Sequence, residues 1–299
     1  MKIINVSGWK DYELTDSGGF EKLERFGKYF IIRPEPQAIW PKSMKEQEWQ
    51  ELSHATFIRK KAEKGIALNP NDSGEWQLKS NMPQQWFISY QYKAMKLKFR
   101  LGLTAFKHVG IFPEQADNWN YIYDHLTEYG PKSKFLNLFA YTGGASLAAK
   151  AAGAEVVHVD SVKQVITWSR ENMETSGLSD IRWIVEDAMK YVRREAKRGS
   201  VYQGIILDPP AYGRGPDGEK WQLEEQIDEM MFLCSKLLSK ERGFIILNMY
   251  AMGFSALIAE NLIKKHFSKK MKTECGELVV SDNKGFVLPL GVFSRGYYE

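Results

Sequence analysis

Four short stretches of this chain combine residue types and spacings suited to a nucleoside-like ligand. The first, Phe135-Leu-Asn-Leu-Phe-Ala-Tyr-Thr-Gly-Gly-Ala-Ser146, is an apolar run that ends in a glycine turn and continues into an Ala-rich segment. Such a turn lets the backbone approach a ligand and aims the N–H groups of the next helix at it. A dinucleotide site would show G-x-G-x-x-G, with bare backbone against a pyrophosphate. Here Ala140 and Tyr141 occupy the first glycine position and Gly143 and Gly144 alone remain, which fits a ligand without a pyrophosphate. Asp160 closes the next apolar run and Glu186-Asp187 the one after it. An acid at the first of these positions can accept from both ribose hydroxyls, and Asp187 from an adenine amino group. Asp160 could also cap the helix that starts at Ser161. The fourth stretch is Asp208-Pro-Pro-Ala-Tyr212. Two prolines after a strand stiffen the turn and turn the Pro209 carbonyl outwards with no competing N–H. Asp208 and that carbonyl could hold the amino or ring edge of a base while Tyr212 offers a stacking face. Taken alone, the same turn could be no more than a rigid loop start.

These residues need a frame that brings strand ends together. From Lys107 onward the chain alternates short apolar runs with helical segments. Strands are expected at 135–139, 156–159, 181–185, 204–207 and 244–247. Helices are expected at 145–152, after Val162, and near 188–198, 221–238 and 255–267. Val162, Val165, Ile166 and Met173 give the second helix an apolar stripe. A hairpin over 277–293, turning at Ser281–Gly285, closes the chain. The first hundred residues differ. Tyr29–Arg33, Trp76–Lys79, Gln85–Tyr92 and Met95–Arg100 read as strands, separated by turns such as Asn71–Gly74, and Ser43 with Glu46 is a capping box for a helix towards Ala55. The expected organisation is a small β-rich domain over 1–105 and an α/β domain with a mostly parallel sheet over 106–299.

With 299 residues, 43% hydrophobic and 26% charged, the chain is an ordinary globular protein. No apolar run reaches membrane-spanning length and no signal-peptide core opens the chain, so no membrane partner is expected. Two cysteines, Cys234 and Cys275, do not make a disulfide framework, and the cytoplasm is the expected compartment. Metal-ligand spacing is absent and no metal is expected. A net charge of +4 leaves any nucleic-acid argument to local patches. Lys96, Lys98 and Arg100 alternate with Met95, Leu97 and Phe99; Arg59–Lys61 with Lys64, and Lys264-Lys265 with Lys269-Lys270, form further clusters. Edge protection by lysine and compensation of a helix C-terminus explain such clusters equally well.

Phe139–Gly143, Val159-Asp160, Glu186-Asp187 and Asp208–Tyr212 resemble the motifs of class I S-adenosylmethionine-dependent methyltransferases, a Rossmann-like fold. Within that class the chain is similar to the bacterial group of large-subunit ribosomal RNA methyltransferases for cytosine C5 and guanine N7. Tyr12–Gly18, Arg33–Gln37 and Gly110–Gln115 with Trp119 extend the resemblance over nearly the whole chain. It implies S-adenosylmethionine as cofactor and ribosomal RNA as partner. Phe112, Gln115 and Tyr141, Thr142 and Gly143, with Phe139 and Ala140, would line the methionine side. Asp160 with Ser161 would hold the ribose and Asp187 with Ala188 the adenine. Asp208 and Pro209 would face the transferred methyl, with Tyr212 and Asn248 at the acceptor. One departure matters. Cytosine-C5 transfer needs a thiolate to add to the ring, and the relatives that do it carry a cysteine just after the fifth strand. Leu247–Gly253 has none, and Cys234 lies in an apolar helical run. The expectation is therefore methylation of a ribosomal RNA nitrogen, which needs in-line placement rather than a covalent intermediate. Rival expectations are a protein or small-molecule methyltransferase, a non-catalytic RNA-binding module with a degenerate cofactor fold, and, least compatible with the glycine pattern, a nicotinamide dehydrogenase. Oligomeric state is not legible.

Overall fold

The computed structural model describes residues 1–59, 74–104, 107–250 and 253–298, and in its N-terminal part the two strands over 85–102 show period-two burial. After a short strand β1 (Lys2–Asn5), strands β2 (Tyr12–Gly18), β3 (Glu21–Phe26) and β4 (Tyr29–Pro34) form an antiparallel meander. Helix α1 (Glu46–Leu52) leads to β5 (Ala55–Arg59), parallel to β4, and β6 (Gly74–Leu78) pairs with β5 at the sheet edge. Strands β7 (Gln85–Tyr92) and β8 (Met95–Gly102) make a separate hairpin. In β8, Met95, Leu97 and Phe99 are buried while Lys96 and Lys98 are exposed, the two faces expected from the alternation. Helix α1 begins later than its expected Ser43 cap. The N–H groups of Ser43 and Met44 donate to the buried Asp16 carboxylate at 3.3 and 2.9 Å, so that backbone is held outside the helix. The N-terminal N–H of Lys45 is met instead by Glu48, at 2.7 Å. Lys60, Lys61 and Lys64 of one basic cluster, and residues 71–73 of the turn before Gly74, lie outside the described residues, as do the boundary residue 105 and Ala251-Met252.

A 3₁₀ turn (Pro113–Gln115) and α2 (Ala116–Tyr129) precede the α/β part. This part runs β9 (Lys134–Leu138), α3 (Gly144–Ala151), β10 (Glu155–Asp160), α4 (Lys163–Thr175), β11 (Ile181–Val185), α5 (Ala188–Arg198) and β12 (Gly204–Leu207). A small hairpin follows, β13 (Tyr212–Arg214) and β14 (Lys220–Gln222), then α6 (Leu223–Leu237), β15 (Phe244–Met249), α7 (Ala256–His266), β16 (Lys272–Ser281) and β17 (Val287–Tyr297). The large sheet has the order β1-β16-β17-β15-β12-β9-β10-β11. Strands β15, β12, β9, β10 and β11 are parallel, and β17 is antiparallel to β15 and β16. The expected parallel sheet ending in an antiparallel hairpin is present. Its central strands, such as Ile205–Leu207 and Phe244–Leu247, are buried on both faces and so read as unbroken apolar runs. Strand β1 adds an outer edge by pairing in parallel with β16, Lys2 opposite Gly276.

The sheet changes direction of growth between β9 and β12. Crossovers lead outward from β9 to β10 and β11 on one side and then return to β12 and β15 on the other. At such a switch point the loops at the strand C-termini diverge and leave a crevice. Helix α4 departs from expectation: its inward residues are Ile166, Ser169 and Asn172, while Val162 is exposed. The polar pair faces inward because it bonds the loop after β9, as the site geometry makes clear.

Candidate active site

The loop after β9 is held in an unusual backbone conformation. Phe139 and Tyr141 have φ of 55° and 49°, and Gly143 has φ of 92°. Left-handed backbone at bulky residues is costly and persists where the surroundings over-determine it. Here they do: Ser169 Oγ donates to the Tyr141 carbonyl at 2.7 Å and Asn172 Nδ2 to the Thr142 carbonyl at 3.0 Å. Thr142 Oγ1 donates to the Gly110 carbonyl at 2.6 Å, and the Tyr141 N–H donates to Asp160 Oδ2 at 2.9 Å. Asn172 also accepts from the Arg100 N–H at 2.8 Å, and Trp168 Nε1 donates to the Arg100 carbonyl at 2.8 Å, tying the loop through α4 to β8. Gly110 permits this closure, since a Cβ there would lie 2.2 Å from the Trp168 ring at a φ of +100°.

These elements enclose an open pocket of about 430 Å³, counting the part exposed to solvent, at the C-terminal ends of β9 and β12. Phe112, Gln115, Phe139, Ala140, Tyr141, Thr142, Gly143 and Asp208 line it, so these expected residues are brought together. Ile111, Trp119, Asn137 and Ile206 also line it, although no site role was assigned to them from sequence. Asn137 had a signal, a polar residue inside an apolar strand run, and it donates to Ser146 Oγ at 2.9 Å. Ile206 had none. Asp160 and Asp187 stand outside this lining, at the ends of the next two strands. Asp160 Oδ1 accepts from the Val162 N–H at 2.9 Å, so the acid does serve the start of α4. Burial raises its pKa, opposed by the N–H groups of Val162, Tyr141 and Ser161. Asp187 caps α5, accepting from the Lys190 N–H at 2.8 Å. Ser161 and Ala188 follow these acids directly.

Asp208 ends β12 with a carboxyl that burial pushes up to about 6. The turn behind it is fixed by Trp221, whose Nε1 donates to the carbonyl of Pro210 at 2.7 Å. Pro209 is buried, and Tyr212 on β13 is 49% exposed, leaving its ring face available. Asn248 is placed differently from expectation. It is fully buried, donates to Gln115 Oε1 at 3.0 Å and accepts from Asn118 Nδ2 at 3.0 Å. Asn118 also donates to Gln115 Oε1 at 2.8 Å, and Arg295 Nε donates to Asn118 Oδ1 at 3.0 Å. With the Gln115 carbonyl claimed twice, the Gln115 amide N–H₂ is the end left for the pocket.

A second, charged cavity adjoins the first across Phe112. Lys22, Arg33 and Glu35 from the N-terminal sheet line it with Lys107, His108, Phe112, Glu114 and Tyr250. Phe112 packs against Tyr141 with ring centroids 5.3 Å apart, against Tyr250 at 6.2 Å and against His108 at 5.2 Å. Beneath the cavity Arg33 Nε donates to Glu24 Oε2 at 2.7 Å, Tyr12 donates to Glu24 Oε1 at 3.0 Å and Lys22 pairs with Glu35 at 3.1 Å. Burial alone would raise the Glu24 carboxyl, but Arg33 and Lys22 hold it below the usual range. Cys234 is buried in the α6 core, where desolvation raises its thiol pKa far above the ordinary range, and Cys275 sits on β16. Neither lines either cavity.

Residues 102–269 match the family described as conserved hypothetical protein 95. The crystal structure of an Agrobacterium tumefaciens SAM-dependent methyltransferase superposes with a TM-score of 0.90 at 36% identity, covering 100% of this chain and 94% of that one. The chain belongs to this family of S-adenosylmethionine-dependent methyltransferases. A methyltransferase structure complexed with SAH shares the fold at TM-score 0.72 and 19% identity, over 97% of this chain and 76% of that one. Among curated proteins, the ribosomal RNA large subunit methyltransferase K/L of Shewanella frigidimarina is 31% identical over 54% of this chain and 22% of its own length. The ribosomal RNA large subunit methyltransferase I of Aeromonas salmonicida is 34% identical over 34% of this chain and 26% of its own length. The chain thus spans about a quarter of the curated relatives it matches.

The residues of the methyltransferase pocket fit S-adenosylmethionine, which when bound supplies a methyl group on a positively charged sulfur. A half-buried carboxyl, Asp208, lines the pocket, and the N-terminus of α3 opens on Gly143 with no side chain capping it. The acids Asp160 and Asp187 stand at the C-terminal ends of the next two strands of the sheet.

Proposed function

We propose that this methyltransferase acts on a nitrogen of ribosomal RNA by direct displacement, without a covalent cysteine intermediate. The observation that carries the reading is the Asp208 turn. A half-buried carboxyl whose pKa desolvation raises stands at the pocket wall, beside a rigid proline turn and the exposed ring of Tyr212, with no thiol in either cavity. Such a site orients a nitrogen lone pair and stabilises developing positive charge, and it lacks the nucleophile that a C5 reaction requires. The names of the curated relatives support RNA as the acceptor.

In this reading Gln115, Tyr141 and Gly143 bind the amino-acid half of the cofactor, Asp160 with Ser161 its ribose and Asp187 with Ala188 its adenine. Phe112, Phe139, Ala140 and Thr142 exclude water around it. Asp208 and the Pro209 carbonyl hold the acceptor, and Tyr212 stacks on it. Residues 1–105 form the proposed N-terminal domain and 106–299 the transferase domain, with β1 as an arm laid on the larger sheet. Among the described residues no helix is long and apolar enough to cross a membrane, and the cytoplasm, where ribosomal RNA is found, is the proposed compartment.

The test is transfer of a radiolabelled methyl group into an extract of cells lacking the protein, fractionated into RNA, protein and small molecules. Label in large ribosomal RNA is the expected result. Label in the protein or small-molecule fraction overturns the RNA assignment.

A further inference from the structure

We propose that the charged cavity beside Phe112 extends the acceptor site that begins at Asp208, and that Glu114 there accepts the hydrogen bond, and then the proton, of an acceptor N–H. The proposal rests on the reading of this chain as a nitrogen methyltransferase and narrows it to a nitrogen that carries a proton, such as an exocyclic amino group.

Two of the cations in the cavity already have partners. Arg33 is held by Glu24 and by the Lys107 carbonyl at 3.2 Å, and Lys22 by Glu35 at 3.1 Å. Glu114 is different. It is only 3% exposed, yet among the described residues no side chain is hydrogen-bonded to it, and the donor that reaches its carboxyl is its own backbone N–H. A buried acceptor with unused lone pairs facing a cavity is matched by a ligand that donates.

Position supports the same role. Glu114 lies two residues after Phe112, the ring that separates the two cavities, and its carboxyl feels the charge of Asp208 on the other side. The cavity is small, about 10 Å³ and so about one water in size, room for an amino group at the edge of a base rather than for the base itself. The Tyr250 ring forms part of the wall and is 39% exposed. An acceptor admitted there would have its reacting nitrogen directed past Phe112 towards the cofactor pocket. As the new nitrogen–methyl bond forms, the sulfur–methyl bond breaks with its electron pair left on sulfur, and the N–H proton passes to the Glu114 carboxylate. No other reactant is needed.

The ionisation of the site suits this task. Burial pushes Glu114 up to about 7, with Lys22 opposing and Asp208 and Glu24 reinforcing the shift, while burial pushes Asp208 up to about 6. A base with a pKa near the operating pH is the efficient one. The other titratable or charged groups facing this carboxyl are Lys22, Glu35 and Arg33 from the N-terminal sheet, Lys107 and His108 from the preceding loop, and Tyr250. Both carboxyls must be ionised to accept, so transfer should accelerate as pH rises through about 6 to about 7, with the two limbs belonging to the pair.

The first test needs no natural acceptor. Benzamidine, a planar N–H donor, is titrated by calorimetry into the full-length protein saturated with S-adenosylhomocysteine. Binding is expected to tighten as pH rises from about 5 to about 8 and to weaken about tenfold or more in Glu114→Gln. S-adenosylhomocysteine affinity, held within about twofold, shows that the variant is folded. Equal benzamidine affinity in the two proteins, or no binding by the wild type, overturns the subsite. The second test is the pH profile of transfer into whichever extract fraction takes label. Glu114→Gln should lose about 100-fold in kcat together with the upper pH limb; an unchanged profile overturns the proton-accepting role. Label in protein with the benzamidine result intact overturns the RNA reading alone.

Discussion

Asp208 and Asp160 illustrate two uses of a carboxyl at a strand end. The oxygens of Asp160 accept backbone N–H groups from Tyr141 and Val162, so the acid is pinned in one orientation. Asp160→Ala should weaken S-adenosylhomocysteine binding by about 1–3 kcal/mol, roughly tenfold to hundredfold, with little change in the rate of bound substrate; calorimetry and kcat at saturation check this. Among the described residues Asp208 has no such fixed donors, and Asp208→Ala should lose turnover by about 100-fold or more while cofactor affinity falls much less. Full activity in that variant would remove Asp208 from the acceptor site. Its raised pKa also has a stability consequence. The folded protein binds more protons at Asp208 than the unfolded chain between about pH 4 and about 6, so this group's contribution declines as pH rises through that window. Asp208→Asn should therefore unfold at a higher temperature than wild type at pH about 8, with the difference vanishing near pH about 4. The Asp-Pro-Pro-Ala-Tyr turn and its acid were legible in the chain because a strand end followed by prolines is a local pattern. The raised ionisation of Asp208 was not, because it comes from what is packed around the carboxyl.

At the scale of elements, the loop after β9 works because α4, β8 and the 107–115 segment hold it from three sides. Its glycine turn was recognisable from Gly143-Gly144 and the Ala-rich run that follows. The restraints were not: Ser169 and Asn172 stand on the inner face of α4, where an apolar stripe was expected, because two loop carbonyls need donors. Gly110→Ala tests this arrangement. A Cβ there would lie 2.2 Å from Trp168, and the resulting strain should cost about 1–3 kcal/mol of stability or more. The measurement is urea unfolding together with S-adenosylhomocysteine affinity, and both should weaken. Asn248 teaches a similar lesson. Its place near the C-terminal end of β15 suggested contact with the acceptor, whereas Asn118 and Gln115 take up its amide and Arg295 anchors the group.

At the scale of the whole molecule, the two ends of the chain and the N-terminal sheet complete the α/β part. Strand β1 pairs with β16, and Ser17 donates to Asp282 at 2.9 Å across the same junction. The buried pair of Arg33 and Glu24 carries the highest stakes there, since removing one partner leaves an uncompensated charge. Arg33→Met should cost about 3–5 kcal/mol, and adding Glu24→Gln should restore part of that loss in urea unfolding; equal stability of wild type and single variant would contradict the pairing. The alternating strands and helices, the switch-point turn, the strand-end acids and the proline turn are legible in the order of residues, because each follows from hydrophobic period or backbone restriction within a few residues. Folding alone places Lys22, Arg33 and Glu35 beside Phe112 and Glu114, leaves the Gln115 amide as the end free for the pocket, and gives Glu114 a carboxyl with no side-chain hydrogen bond among the described residues. Those facts depend on desolvation and on partners many residues apart in the chain, and neither leaves a periodic trace in the order of its residues.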